Sequence, residues 1–175
     1  ASTDGGRTWA PRTYGVTNTD GVIAVAPSDG QRLYAAGFSG AIGFVRRSVD
    51  GGQTWSDANS NGAPGSASFN FAEGLAVDPS DARVAYLSTG DGMRTTTDGG
   101  DHWATTSGLP ATSMGPVITD PSTPGVAYVI ADARLWRTAD RGGSWKALTA
   151  LPSGEPADML VDPRSSSTLY AATRA

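Results

Sequence analysis

The chain has no cysteine, a single histidine and two glutamates among its 175 residues. Without thiols there can be no disulfide and no thiolate metal site, and one imidazole cannot build a His-rich one. The absence leaves the compartment open, because many exported proteins also lack cysteine. The 13 basic residues stand singly in a chain of net charge -4, so the basic run or stripe that contacts nucleic acid or an anionic membrane is missing. No apolar run approaches the roughly 18 residues that span a bilayer. The start of the chain shows no charged and apolar leader. We therefore expect no nucleic-acid partner and no membrane insertion. A mature secreted form, or a piece of a longer protein, would read the same way, since the sequence begins at Ala1.

Glycine (23) and proline (11) are plentiful, and helical periodicity is absent. One motif occurs four times: STDGGRTW at 2–9, SVDGGQTW at 48–55, TTDGGDHW at 96–103 and TADRGGSW at 138–145. Each reads Ser/Thr-x-Asp-x-Gly-x-x-Trp. A period of 40 to 50 residues marks a repeat architecture.

Between the boxes runs a second repeated segment: VIAVAPSDGQRLYAAG from 22, LAVDPSDARVAYLSTG from 75, VITDPSTPGVAYVIAD from 117 and MLVDPRSSSTLYAATR from 159. An apolar run, a Pro-containing turn and a second apolar run with a tyrosine form a β-hairpin signature. Adding a short strand into each box and one that starts at its Trp gives four strands per unit, A to D. This predicts an all-β fold, a β-propeller of four-stranded antiparallel blades with about four repeats, as one domain over 1–175.

Spacing locates two insertions. Trp to Tyr is 25 residues in three units but 31 from Trp55 to Tyr86, which places six extra residues in the D-to-A connection at 56–74. Tyr34 lies 14 residues before Ser48, whereas Tyr86 and Tyr128 lie 10 before Thr96 and Thr138, which places four more in GFSGAIGF, a B-to-C connection. Insertions in repeat arrays map to loops.

In each box the Asp can accept backbone N–H groups of its own turn, glycines supply positive φ, and the Trp covers the turn while its indole N–H reaches a carbonyl. Asp4, Trp9, Asp50, Trp55, Asp98, Trp103, Asp140 and Trp145 are read as structural. The boxes resemble the Asp-box, or BNR repeat, of sialidases, family 74 xyloglucanases, sortilin-type receptors and Ycf48-type photosystem assembly factors. LAVDPSDARVAYLSTG followed by TTDGGDHW resembles the xyloglucanase and Ycf48-like branch most closely. The resemblance implies a propeller, seven-bladed by analogy. It leaves hydrolase, receptor and assembly factor all open.

Glycoside hydrolysis uses two carboxylates flanking the bond. In an up-and-down blade the boxes share one end with the A-to-B turns. The B-to-C and D-to-A connections share the other end, where the resemblance implies the active site of the hydrolases. There the sequence places Asp20, Phe69, Asn70, Phe71, Glu73, Asp91, Met114, Asp132, Arg134, Glu155 and Asp158. Phe69 and Phe71 can stack on a sugar ring, with Asn70, Arg134 and Asp158 as further ligand contacts. Glu73, Asp91 and Asp132 are the catalytic candidates, Glu73 pairing with Asp91 or Asp132. Neither the arginine triad and Arg-Ile-Pro motif of sialidases nor the Arg-Thr-Asp-Ile-Gly-Gly string of xyloglucanases occurs. No cofactor or metal is expected; Ca²⁺ in the Asp-Gly-rich loops is the one alternative the donor types leave. His102 stands before Trp103 on the box end, away from a triad.

The ends leave seven residues where sister units use 10, so a closed four-bladed ring would need a clipped strand. A piece of a longer propeller, completed by missing blades or by self-association, is expected instead. The expected role is a secreted, ligand-binding or scaffold module for a glycan or a protein. The alternatives are part of a secreted glycoside hydrolase and an assembly-factor-like protein binder.

Overall fold

A computed structural model describes residues 1–12, 21–39, 42–58, 71–110, 114–151 and 155–174. No helix occurs among them. The first blade comprises β1 (Gly21–Ala26), β2 (Asp29–Ser39), β3 (Ile42–Ser48) and β4 (Ser56–Asp57). The second comprises β5 (Ala72–Val77), β6 (Ala85–Thr89), β7 (Gly92–Thr96) and β8 (Ala104–Thr105). The third comprises β9 (Met114–Thr119), β10 (Ala127–Ala131), β11 (Arg134–Thr138) and β12 (Lys146–Ala150). A two-stranded hairpin, β13 (Glu155–Asp162) with β14 (Ser165–Arg174), follows.

Each of the first three sheets is an antiparallel meander in chain order, and β5 packs on β1, β9 on β5, and β13 on β9. That is the propeller arrangement predicted from the repeat, with three four-stranded blades and a two-stranded hairpin of a fourth among the described residues. The twist of each sheet lets it pack on the next at a rotation, so the A strands line the inside.

The sandwiching explains a pattern unlike simple alternation. β6 (AYLST) and β10 (AYVIA) are buried at every position, because sheets cover both of their faces. The forward face of each blade carries one cross-strand pair: Ala24 opposite Tyr34, Ala76 opposite Tyr86, Ile118 opposite Tyr128 and Leu160 opposite Tyr170. The rear face carries the neighbours, such as Leu75 and Leu87 or Val117 and Val129, and three apolar clusters join forward face to rear face. Each fully buried Leu, Val or Ile contributes about 1.5–3 kcal/mol.

At Gly74 the backbone of β5 comes close to β9: a Cβ there would lie 2.8 Å from the backbone nitrogen of Val117 and 2.9 Å from Ser88 Oγ. Only a residue without a side chain lets these A strands approach.

Of the insertion within 37–44, the described residues 37–39 and 42–44 lie in strand and not in loop. They lengthen both strands, extending the β2–β3 ladder through Gly37–Phe44, Phe38–Gly43 and Ser39–Ile42, because an even insertion preserves the period-2 alternation. Most of the longer D-to-A insertion, including Phe69 and Asn70, lies outside the described residues, as does Asp20.

Candidate functional site

All four boxes fold as one hydrogen-bonded turn. The leading hydroxyl of Ser2, Ser48, Thr96 or Thr138 donates to the Asp Oδ1 at 2.7–2.8 Å and accepts the N–H of Gly6, Gly52, Gly100 or Gly142 at 2.8–2.9 Å. The same Oδ1 accepts the N–H four residues on, from Thr8, Thr54, His102 or Ser144, at 2.9–3.0 Å. Oδ2 accepts that residue's side chain: Thr8, Thr54 and Ser144 through hydroxyls at 2.5–2.6 Å, and His102 through Nδ1 at 2.6 Å. His102 thus substitutes for a structural hydroxyl.

These contacts acidify the box carboxylates. The Thr8 side chain, then its N–H, holds Asp4 at about 2, and Thr54 does the same for Asp50. Ser144 holds Asp140 at about 2. At Asp98 burial pulls upward, but the bonds from His102 and Thr96 outweigh it and leave the group at about 2.

The indole N–H of Trp9 and Trp55 donates to Gly6 and Gly52 carbonyls at 3.1 Å, as the box logic predicts. Trp103 and Trp145 depart from it: their Nε1 atoms are buried without a partner. Instead each ring stands edge-on to a tyrosine of the preceding blade, Tyr34 against Trp103 at 6.3 Å and Tyr86 against Trp145 at 6.4 Å. A Cβ on Gly100 would lie 3.4 Å from Tyr34 Cε1, and one on Gly142 the same distance from Tyr86 Cε1. Box glycine and box tryptophan together seat the tyrosine, a joint that the sequence reading of each box in isolation did not contain.

At the opposite end the structure brings Phe71, Glu73 and Asp91 to one corner of the second blade. The Phe71 carbonyl accepts the N–H of Gly90 at 3.1 Å, beside Asp91 in the β6–β7 turn. Phe71 is 60% exposed and holds φ at +50°, a left-handed conformation that a bulky side chain rarely takes. Glu73 is not in a loop: it is the exposed bulge residue of β5, between the Ala72–Thr89 and Gly74–Ser88 pairs. Asp91 is already engaged, accepting the Thr89 hydroxyl at 2.6 Å and facing Arg94 Nη2 at 3.6 Å.

In the third blade Asp132 and Ala133, at φ +51° and +52°, form the two-residue turn between β10 and β11, with exposed Arg134 next to it. Two consecutive positive φ values suit a type I′ hairpin, whose twist matches the strands. Met114 does not face a ligand: it is buried in the core between the second and third blades, opposite Ala131. Exposed Asp158 accepts the N–H of Met159 at 2.8 Å, and Glu155 begins β13.

Two other aspartates without an evident role in the sequence are ion-paired, Asp57 with Arg46 at 3.2 Å and Asp101 with Arg47 at 2.6 Å. An apolar groove of about 500 Å³ runs along the A strands past Val25, Leu75, Val117 and Leu160. A polar cleft of about 550 Å³ separates the boxes of the second and third blades at His102 and Arg141. Among the described residues no group of three His, Asp or Glu side chains could hold a metal ion.

The fold defines a β-propeller module. No protein-family model matches the chain. A xyloglucanase of Hypocrea jecorina is 31% identical over 124 residues, and the xyloglucanase Xgh74A of Acetivibrio thermocellus is 34% identical over 110. These matches take in 59% and 55% of this chain but 14% and 12% of those proteins, so the chain spans a small part of the relatives it matches.

Among solved structures, a GH74 enzyme of Niastella koreensis superposes with TM-score 0.69 at 23% identity over 86% of this chain and 25% of its own. A GH74 xyloglucanase of Xanthomonas campestris gives 0.62 at 26% over 78% and 24%. YCF48 from Cyanidioschyzon merolae gives 0.61 at 19% over 80% and 46%. The similarity to xyloglucanases is carried by sequence and fold, and that to YCF48 by fold alone.

Proposed function

We propose that this chain is an Asp-box propeller segment that binds a β-glucan of the xyloglucan type, as part of a secreted protein. The observation that carries this reading is the match of more than half the chain to two xyloglucanases, at 31% and 34% identity. The B-to-C end has the chemistry to support it. A sugar ring offers an apolar face and a rim of hydroxyls, and Phe71 supplies an exposed aromatic face beside the Glu73 carboxylate. Asp132, Arg134 and Asp158, all exposed, offer hydrogen-bonding groups on the next two blades along the same end. Phe69 and Asn70, outside the described residues, keep in this reading the ligand-contact role that the sequence gives them.

The reading is one of binding; turnover is left to the hydrolase alternative, with Glu73 and Asp132 as its carboxylates. Asp91 already accepts the Thr89 hydroxyl and faces Arg94, contacts that hold its carboxylate in place in the β6–β7 turn. Calorimetric titration with xyloglucan oligosaccharides tests the reading. Phe71→Ala should weaken binding about tenfold, equivalent to ~1.4 kcal/mol, with the far-UV spectrum unchanged. No binding by the parent chain, or equal binding by the variant, overturns it; capture of a peptide in place of the glycan would favour a protein-binding propeller.

A further inference from the structure

We propose that the cleft between the boxes of the second and third blades binds a ligand through a guanidinium group, the same group that the chain itself places in the preceding joint. Both walls belong to blades whose four strands are described, so the cleft is internal to the chain. The two joints follow one plan. In the first, Arg47 of β3 reaches the box of the second blade, where its Nη1 donates to the Gly99 carbonyl at 2.7 Å and lies 2.6 Å from Asp101 Oδ1. A guanidinium suits such a place because it donates to a carbonyl and a carboxylate at once.

In the second joint Thr95 holds that position. It precedes Thr96 as Arg47 precedes Ser48, and it pairs with Tyr86 as Arg47 pairs with Tyr34. A threonine is too short to replace an arginine there, and at this joint the cleft of about 550 Å³ opens. Gly143 takes the box position of Asp101, so the acid that pairs with Arg47 has no counterpart either. Charge comes from elsewhere: Asp98 and Asp140 both line the cleft and stand at about 2 in the folded chain, so both are ionised. The hydroxyls and the N–H that hold Asp140 are neutral and leave its charge uncompensated, while Asp98 meets His102 Nδ1. Arg141 is the one arginine or lysine among the described residues on the walls, and its Nη1 faces Asp81, outside the lining, at 3.8 Å. An incoming guanidinium thus meets two carboxylates in a space that the chain fills, one joint earlier, with a guanidinium of its own. The cleft lies at the box end, away from Phe71, so its test is independent of the glycan reading.

Amide NMR of the 175-residue chain titrated with Nα-acetyl-arginine amide tests this, with Nα-acetyl-citrulline amide as the uncharged probe of the same shape. The arginine probe should move the amide signals of Thr97, His102 and Gly143 and reach saturation. The citrulline probe should bind at least about tenfold more weakly. Thr95→Arg puts a guanidinium of the chain into the cleft and should weaken the arginine probe at least about tenfold. Arg141→Gly removes a competing positive charge and should strengthen it about threefold.

No shift with the arginine probe overturns the proposal, and so does equal binding of the two probes, since the cleft would then not select charge. A folded Thr95→Arg that binds the arginine probe as the parent does overturns it as well, because the probe would lie elsewhere. Circular dichroism checks folding. Should Thr95→Arg fail that check, the probe comparison and Arg141→Gly decide, and weaker binding by Arg141→Gly overturns the proposal.

Discussion

Asp78 Oδ2 accepts a hydrogen bond of 2.6 Å from the backbone N–H of Gly125, 47 positions along the chain, and so ties the A-to-B turn of the second blade to that of the third. Its Oδ1 meanwhile accepts from the N–H and hydroxyl of Ser80 and from the N–H of Asp81. Asp78 is completely buried, which opposes its ionisation, yet these donors outweigh burial and hold the carboxyl below its ordinary range. Asp120 repeats the device one blade on, accepting the hydroxyl of Ser166 at 2.9 Å.

Removing the Asp78 carboxylate strands four donors from two blades. Asp78→Ala should lower unfolding free energy by about 3 kcal/mol, read as a shift of the urea midpoint. A loss below about 1 kcal/mol would mean that water replaces the lost acceptor.

The two seated tyrosines make a controlled pair. Tyr34 Oη donates to the Ala82 carbonyl at 2.8 Å, whereas Tyr86 Oη is buried without a partner, and burial raises the latter's pKa well above the ordinary phenol range. Tyr34→Phe should therefore cost about 1 kcal/mol, while Tyr86→Phe should be neutral or stabilising. Thermal melts of the two variants side by side give the comparison.

The glycines that end the positive-φ pair of each box separate conformational strain from contact. Gly6 and Gly142 have φ of +87° and +84°, but a Cβ on Gly6 meets nothing within 4 Å and one on Gly142 would lie 2.6 Å from Thr95 Cγ2. Gly6→Ala should cost about 1–2 kcal/mol from backbone alone. Gly142→Ala should cost about 1–3 kcal/mol more through the clash. Equal losses would show that Thr95 moves aside freely.

Arg141 holds φ at +60° where the other boxes have Gly5, Gly51 and Gly99. Its side chain gains only a 3.8 Å approach to Asp81, and it is 46% exposed. Such a pair contributes little. Arg141→Gly should therefore stabilise the chain by about 1 kcal/mol, seen as a higher melting temperature.

The box aspartates predict the acid limb. All four stand at about 2 in the folded chain, below their ordinary 3.8. A carboxyl depressed by folding contributes stability that is complete above the unfolded pKa and is lost as pH falls through the folded one. Denaturant stability should thus be flat above pH ~4 and fall steeply between ~4 and ~2. Removing one contribution, as in Asp140→Asn, should reduce the steepness; an unchanged slope would refute the assignment.

How much was legible differs between fold and site. Blade strands and box turns could be read because they are local: hairpin pairing follows period-2 alternation and turn residues, and each box closes its hydrogen bonds within four positions. The cross-blade partners could not be read. Nothing near Asp78 names Gly125, and nothing near Tyr34 names Trp103, since those contacts depend on how one twisted sheet packs on the next. The candidate site was legible as an end of the blades and not as a geometry: Phe71 and Glu73 lie beside the Asp91 turn, but Met114 turned into the core and residues 37–39 and 42–44 became ladder.

The sequence by itself determined the repeat and, within each unit, the hairpins and the box turns, because a hairpin or a box turn is written within eight to twenty neighbouring residues. Tertiary structure alone decided which aspartates were already spent and which glycines seat a tyrosine. Packing energy depends on the area that a neighbouring sheet covers, and no local stretch of chain specifies that area.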